Sequence, residues 1–313
     1  MSGLHPQAQA VLARRAVDGD RPMHKAPVAE SRAARWGWLP YMGEPAGVAR
    51  VENRFIPSRT AEIPVRIYIP NGEGPFAALV MFHGGCWIVG NIDLADRPHR
   101  TIAATTRCSV IAVNYQKAPE HRFPIPLDDC YAGFRWTVEH ADELGLDPSR
   151  IGVAGDSAGG NLAAAVCLLA RQRGETQPAA QVLIYPALDP TLETDSAKNF
   201  AEGYGLTTED MRWSWHQYVS GESKLFSPLV APLHESSLDG LAPAVVVTAE
   251  FDILRDEGQA YAGRLATAGN SAVRLHYDGA IHGFLWMAGA ADVCVRMLTD
   301  VRAALDGLWT PRE

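Results

Sequence analysis

The stretch Gly155–Gly159, reading Gly-Asp-Ser-Ala-Gly, constrains this chain more than any other. A strand-like run, Arg150–Ala154, leads into it, and a helix-like run, Asn161–Arg171, leads out. A G-x-S-x-G turn between strand and helix is the arrangement that thrusts a serine out at the top of a sheet. The glycines carry the physical reason. So sharp a turn crowds neighbouring backbones, and Gly155 and Gly159 remove the Cβ atoms that would clash. The Ser157 hydroxyl then sits at a helix N-terminus, where free N–H groups and partial positive charge favour an anion. The Ala158 amide is placed to donate to an oxyanion. The plain alternative is a glycine-rich turn with Ser157 as a helix N-cap.

The flanking chain supplies the sheet. Ala77–Phe82, Cys108–Asn114, Arg150–Ala154, Ala180–Tyr185 and Ala244–Ala249 are short and apolar on both faces, as buried parallel strands are. Helical patterns over 95–106, 126–141, 161–172, 256–268 and 290–306 separate or follow them. This alternation predicts an α/β fold with a mostly parallel sheet flanked by helices. Val51–Pro57 and Ile63–Ile69 precede it as a strand pair. The second alternates Ile63, Val65, Ile67 and Ile69, which suits an antiparallel strand with one wet face.

Two stretches fall outside the series. Residues 5–18 read as an amphipathic helix with Val11, Leu12 and Ala16 on one face. An arm holding Trp36, Trp38 and Tyr41 follows. Residues 187–240 carry Tyr204, Met211, Trp213, Trp215 and Tyr218 in a helical setting. The expected organisation is an N-terminal cap segment over 1–45 and a catalytic domain over 46–313. A cap insertion near 187–225 would help roof the pocket.

A serine at neutral pH needs a base, and the base needs an orienting acid. In sheets of this kind the chain order is Ser, acid, His. Asp252 follows strand 244–249, and His282 follows a strand over 273–277. Both fall at C-terminal strand ends, the edge at which such sheets bind ligands. Alone, either would be an ordinary loop residue; order and placement together point to a triad of Ser157, Asp252 and His282. Asp256 and Glu257 compete for the acid, and read better as first-turn residues of the next helix. His83-Gly84-Gly85-Cys86-Trp87 directly follows strand 77–82. Consecutive glycines let amides approach a substrate oxygen. Gly84, Gly85 and Ala158 are therefore the expected oxyanion donors, with His83 shaping the loop. Trp87, Asp156, Tyr185, Leu206, Trp213 and Phe284 are the expected pocket lining.

Charge and composition narrow the partners. A formal net charge of −8 disfavours nucleic acid and anionic membrane surfaces. The longest apolar run, Leu162–Ala170, falls far short of the roughly 20 residues a membrane span requires. Five cysteines with no C-x-x-C pair, and a polar Met1–Ala10, suit a reducing, cytoplasmic setting. No H-E-x-x-H, P-loop or complete G-x-G-x-x-G is present, so neither a metal nor a nucleotide cofactor is expected. The sequence leaves a homodimer open.

Together these motifs resemble one family, the hormone-sensitive-lipase-like esterases of the α/β-hydrolase fold. The resemblance rests on His83–Trp87, Tyr115–His121, Gly155–Gly160, Asp252–Gly258 and Ile281–Phe284, and runs from about residue 4 to about residue 305. It implies an N-terminal and inserted helical cap, and cofactor-free hydrolysis of short- to medium-chain acyl esters. Cys86 stands where the family's H-G-G-G motif has its third glycine. Gln116-Lys117 replaces the usual Arg-Leu, and Ile253 replaces the commoner Pro. A non-catalytic small-ligand binder on the same fold, or an amide or lactone hydrolase, are the alternatives. The first is disfavoured by the presence of all three triad residues.

Overall fold

The computed structural model describes residues 3–310. Eight strands form one sheet: β1 (Arg50–Pro57), β2 (Glu62–Ile69), β3 (Phe76–Phe82), β4 (Ser109–Val113), β5 (Leu146–Asp156), β6 (Gln181–Ile184), β7 (Ala244–Phe251) and β8 (Ala272–Ile281). Their order across the sheet is β1-β2-β4-β3-β5-β6-β7-β8. β1 pairs with β2, and β2 with β4, antiparallel; all other pairs are parallel. Every residue of β4, β6 and β7 is buried, as strands covered on both faces must be.

Among the described residues, ten α-helices accompany the sheet. In chain order they are α1 (Pro6–Val17), α2 (Val28–Ala34), α3 (Asp96–Thr106), α4 (Ile125–Glu139), α5 (Ala141–Leu144), α6 (Ala158–Gln172), α7 (Asp195–Asn199), α8 (Thr208–Tyr218), α9 (Arg255–Thr267) and α10 (Val293–Trp309). Helix α3 packs against α10 and α4 against α6, in layers over the sheet. Helix α6, fully buried from Ala158 to Ala170, runs through the centre. Among the described residues, no helix is long and apolar enough to cross a membrane.

Several boundaries differ from the sequence reading; β7 and β8 run on to Phe251 and Ile281, and two other differences have a local cause. β5 begins at Leu146, before Pro148, rather than at Arg150. The β3–β5 register shifts between Phe76 and Ala78, so Pro148 falls in an irregularity where its missing N–H costs no ladder bond. Helix α6 starts at Ala158, not Asn161, because Ser157 alone accomplishes the reversal.

Outside the sheet lie residues 5–41 and the α7–α8 insertion between β6 and β7. They are tied to each other at Asp210, whose Oδ1 accepts the His24 N–H at 3.0 Å and lies 2.9 Å from His24 Nδ1. The arm is tied to the body by Arg32. Its guanidinium meets Glu120 through two bonds of 2.7 and 2.8 Å and donates to the Ile88 and Ala118 carbonyls. On α1 Ala8 and Val11 are buried and Leu12 packs partly buried against the core, while Ala16 is exposed.

Candidate active site

Each singled-out chemical group stands directly after a parallel strand. His83 follows β3, Ser157 follows β5, Asp252 follows β7 and His282 follows β8. Parallel strands share one C-terminal edge, so residues far apart in the chain converge there.

Ser157 has φ 56° and ψ −119°. A non-glycine residue in that region costs on the order of 1–3 kcal/mol and persists only where its surroundings over-determine it. Here they do. The Ser157 N–H donates to Ile184 O at 2.9 Å, and its carbonyl accepts Asn161 N–H and Ala187 N–H. A Cβ on Gly159 would collide with the Phe82 carbonyl, which lets β3 and α6 approach so closely. The N-cap alternative fails: the Ser157 side chain makes no capping bond. Its Oγ lies instead 3.0 Å from His282 Nε2. His282 Nδ1 lies 2.8 Å from Asp252 Oδ2. An ionised carboxylate only accepts, so Nδ1 carries the proton there and Nε2 is left to accept the serine O–H. Asp252 is buried, and its other oxygen accepts the Leu254 N–H at 2.9 Å.

The competing acids lie elsewhere. Asp256 accepts the Ser196 N–H at 2.7 Å and the Arg255 Nε–H at 2.8 Å, joining α9 to α7. Glu257 accepts the Leu188 N–H at 2.6 Å, and burial pushes its pKa well up.

One sequence expectation about the glycine loop is corrected. The Gly84 amide donates to Asp156 Oδ1 at 2.7 Å, so it is not free to receive a substrate oxygen. The next two amides, Gly85 and Cys86, have no partner among the described residues. Gly85 has φ +121°, a conformation reserved for glycine, and Cys86 follows with φ 55°. The Ala158 amide opens α6 and has no intrahelical acceptor. Asp156 also accepts the Trp286 Nε1–H at 2.8 Å. It thus joins the glycine loop, the serine turn and the segment after His282. Burial raises its pKa, and the Trp286 and Gly84 donors oppose the rise. His83 shapes the loop. It is fully buried, its Nδ1 lies 2.8 Å from the Gly84 carbonyl, and its ring stacks on Tyr115 at 4.5 Å. Burial pushes its pKa well down and keeps it neutral.

A cavity of about 730 Å³ opens over Ser157 and His282. Of the expected lining, Asp156 and Leu206 face it. Trp87, Tyr185, Trp213 and Phe284 do not. Trp87 is buried in a stack with Tyr218 at 4.5 Å and Trp215 at 4.4 Å. Tyr185 packs behind the His282 ring at 4.6 Å, and Phe284 packs on Tyr185 at 5.4 Å. Trp213 is half-buried on α8, away from the cavity. Of the paired arm tryptophans, Trp38 lines the cavity and Trp36 is exposed. Sequence reasoning missed Arg15, Met23, Arg35 and Trp286 on this lining. The only signal for the first three was that they lie in the arm expected to roof the pocket.

Comparison with known proteins agrees with this fold. A family described as alpha/beta hydrolase fold matches residues 79–286. Carboxylic ester hydrolase LipN of Mycobacterium tuberculosis is 42% identical over 266 residues, covering 82% of this chain and 70% of that protein. Ethyl acetate hydrolase of Pseudomonas putida is 37% identical over 247 residues, covering 78% of each. The structure of ester-hydrolase EH1AB1, from the metagenome of Lake Arreo, superposes with a TM-score of 0.91 at 39% identity. That match covers 97% of this chain and 98% of the other. With its eight-stranded sheet and a serine, histidine and aspartate meeting at one edge, the chain belongs to the hormone-sensitive-lipase-like esterase family of the α/β-hydrolase fold.

Proposed function

We propose that this protein is a serine carboxylesterase acting on short- to medium-chain acyl esters through an acyl-enzyme. The unbroken line from Ser157 Oγ to His282 to Asp252, opening into a cavity, carries the reading. Ser157 Oγ attacks the ester carbonyl while His282 Nε2 takes its proton. Asp252 holds the imidazole in the tautomer that can accept it and stabilises the imidazolium. The oxyanion of the tetrahedral intermediate receives the amides of Gly85, Cys86 and Ala158. His282 then protonates the departing alcohol. A water activated by the same nitrogen attacks the acyl-serine and releases the acid. The ester-hydrolysing relatives support the reaction class, and ethyl acetate hydrolase supports short chains.

Residues 1–45 together with 187–225 act as the cap over a catalytic domain of 46–313. The cavity supports this division: Leu12, Trp38 and Leu206 line it together with Ser157 and His282. The five buried, unpaired cysteines support a cytoplasmic, reducing setting.

The test is turnover of 4-nitrophenyl acetate, butyrate and hexanoate by the wild type and by Ser157→Ala and His282→Ala. The reading requires turnover in the wild type, with both variants reduced by about 10⁴-fold or more and no acyl burst. A wild type that binds esters without turning them over would make this a ligand-binding protein instead.

A further inference from the structure

Two guanidinium groups share the cavity with the nucleophile. Arg15 and Arg35 both lie over the Trp38 ring, with Cζ 4.4 and 5.5 Å from its centroid. All three residues line the same cavity as Ser157. Arg15 is largely buried and ion-paired with Asp20. Burial lowers its pKa; the Asp20 charge opposes the fall, and the Arg35 charge adds to it. The two cations are therefore close enough to repel.

Arg35 has no carboxylate within ion-pair distance among the described residues. Its Nη2–H donates to Met23 Sδ at 3.2 Å, a weak acceptor for a charged donor. Of the acids on the cavity wall, Asp18 is on Arg14, and Glu30 is exposed and forms no ion pair with Arg35; the remaining three are engaged elsewhere. Asp20 is on Arg15, Asp210 on His24, and Asp156 on Gly84 and Trp286. The Arg35 charge also reaches the Cys86 thiol, next to the free loop amides. A half-buried guanidinium without a counter-charge is costly. A ligand carboxylate would relieve that cost and the repulsion from Arg15, and would suit the planar fork of arginine. An alkyl chain in the same space would do neither.

We propose that Arg35 recognises a carboxylate carried by the substrate, so that the preferred esters bear a negative charge a few bonds from the scissile carbonyl. This rests on the reading of Ser157 as the esterase nucleophile. Hydrolysis is unchanged in its chemistry: the acyl C–O bond breaks, water adds, and an alcohol and an acid leave.

The experiment compares monoethyl succinate, glutarate and adipate with ethyl butyrate, valerate and hexanoate, following acid release in a pH-stat. A second arm places the charge on the alcohol side, comparing the butyryl ester of 3-hydroxypropionic acid with propyl butyrate. The readout is the ratio of kcat/KM for the charged ester to that for its neutral match. In the wild type that ratio should exceed about tenfold, the size of one modest electrostatic contact, for at least one chain length or arm. In Arg35→Gln the ratio should fall by about tenfold or more, and Arg35→Lys should retain part of it. Arg212→Gln, which removes an exposed charge paired to Glu209, with neither residue on the cavity wall, should leave the ratio in place. Glutarate should also inhibit wild-type turnover of ethyl butyrate competitively, and more tightly than glutaramide does. Turnover of neutral esters with no preference for charge, or a ratio that Arg35→Gln does not move, overturns the proposal and leaves the esterase reading standing. No turnover of either class overturns the esterase reading, and this proposal with it.

Discussion

The Asp156 carboxylate and the Gly84 amide are joined at 2.7 Å across 72 residues of chain. The bond fixes the loop after β3 to the turn after β5, and so sets where the amides of Gly85 and Cys86 lie relative to Ser157. Asp156 is buried, and its second oxygen is taken by Trp286. It acts as a positioning residue.

In Asp156→Asn, one acceptor is replaced by an NH₂ group that must face an N–H donor. We expect kcat to fall by about 10²-fold, the scale of losing an oxyanion donor, with KM within a few-fold of wild type. Steady-state kinetics on a butyrate ester separate the two parameters. A rise in KM with kcat intact would instead mean that Asp156 acts by touching substrate.

The two candidate acids are separated by substitution. Asp252 is 2.8 Å from His282, whereas Asp256 serves Ser196 and Arg255. Asp252→Asn should lower kcat by about 10²-fold or more, since Asn can hold the imidazole in the wrong tautomer. Asp256→Asn should lower the melting temperature without a comparable loss in kcat. Parallel kinetics and thermal melts decide the assignment, which fails if Asp256→Asn is the more damaging to kcat.

The proposed mechanism uses the Cys86 amide and not its thiol. Burial pushes the thiol pKa up to about 11, so it is protonated at neutral pH, and its Sγ faces Met211 Sδ at 3.8 Å. Cys86→Gly keeps the N–H and relieves a non-glycine residue at φ 55°. We expect kcat/KM within about tenfold of wild type, or roughly 1.4 kcal/mol. A loss beyond about 10²-fold in kcat would assign the thiol a part in catalysis.

Lys117 predicts a pH effect on stability. It is half-buried, with Nζ donating to Tyr115 O at 2.8 Å and Asn114 Oδ1 at 3.1 Å. Burial, with the Arg32 charge adding, brings its pKa down to about 8 from an ordinary 10.5. Between those values the unfolded chain holds a proton that the folded chain has released, so this group adds stability as pH rises through the window. Urea melts at pH 7.5, 9 and 10.5 should show the wild type gaining on Lys117→Met as pH rises. A constant difference between the two would mean that Lys117 does not titrate there.

Local pattern determined much of this protein. Apolar runs of strand length, and the glycines around Ser157, follow from residue-by-residue sterics and burial. They place Ser157, Asp252 and His282 at strand ends without knowledge of their neighbours. What local pattern reports is that a residue is buried, not against what. Trp87, Tyr185 and Phe284 are as buried as their apolar character demands, yet they back the site instead of lining it. The free amides after β3 were equally hidden, because adjacent glycines look alike until a carboxylate from another strand end takes one of them. Arg35 shows no special signal in its own segment. Only the packing of the arm over the sheet edge puts its charge in the same cavity as Ser157, with no carboxylate ion-paired to it among the described residues.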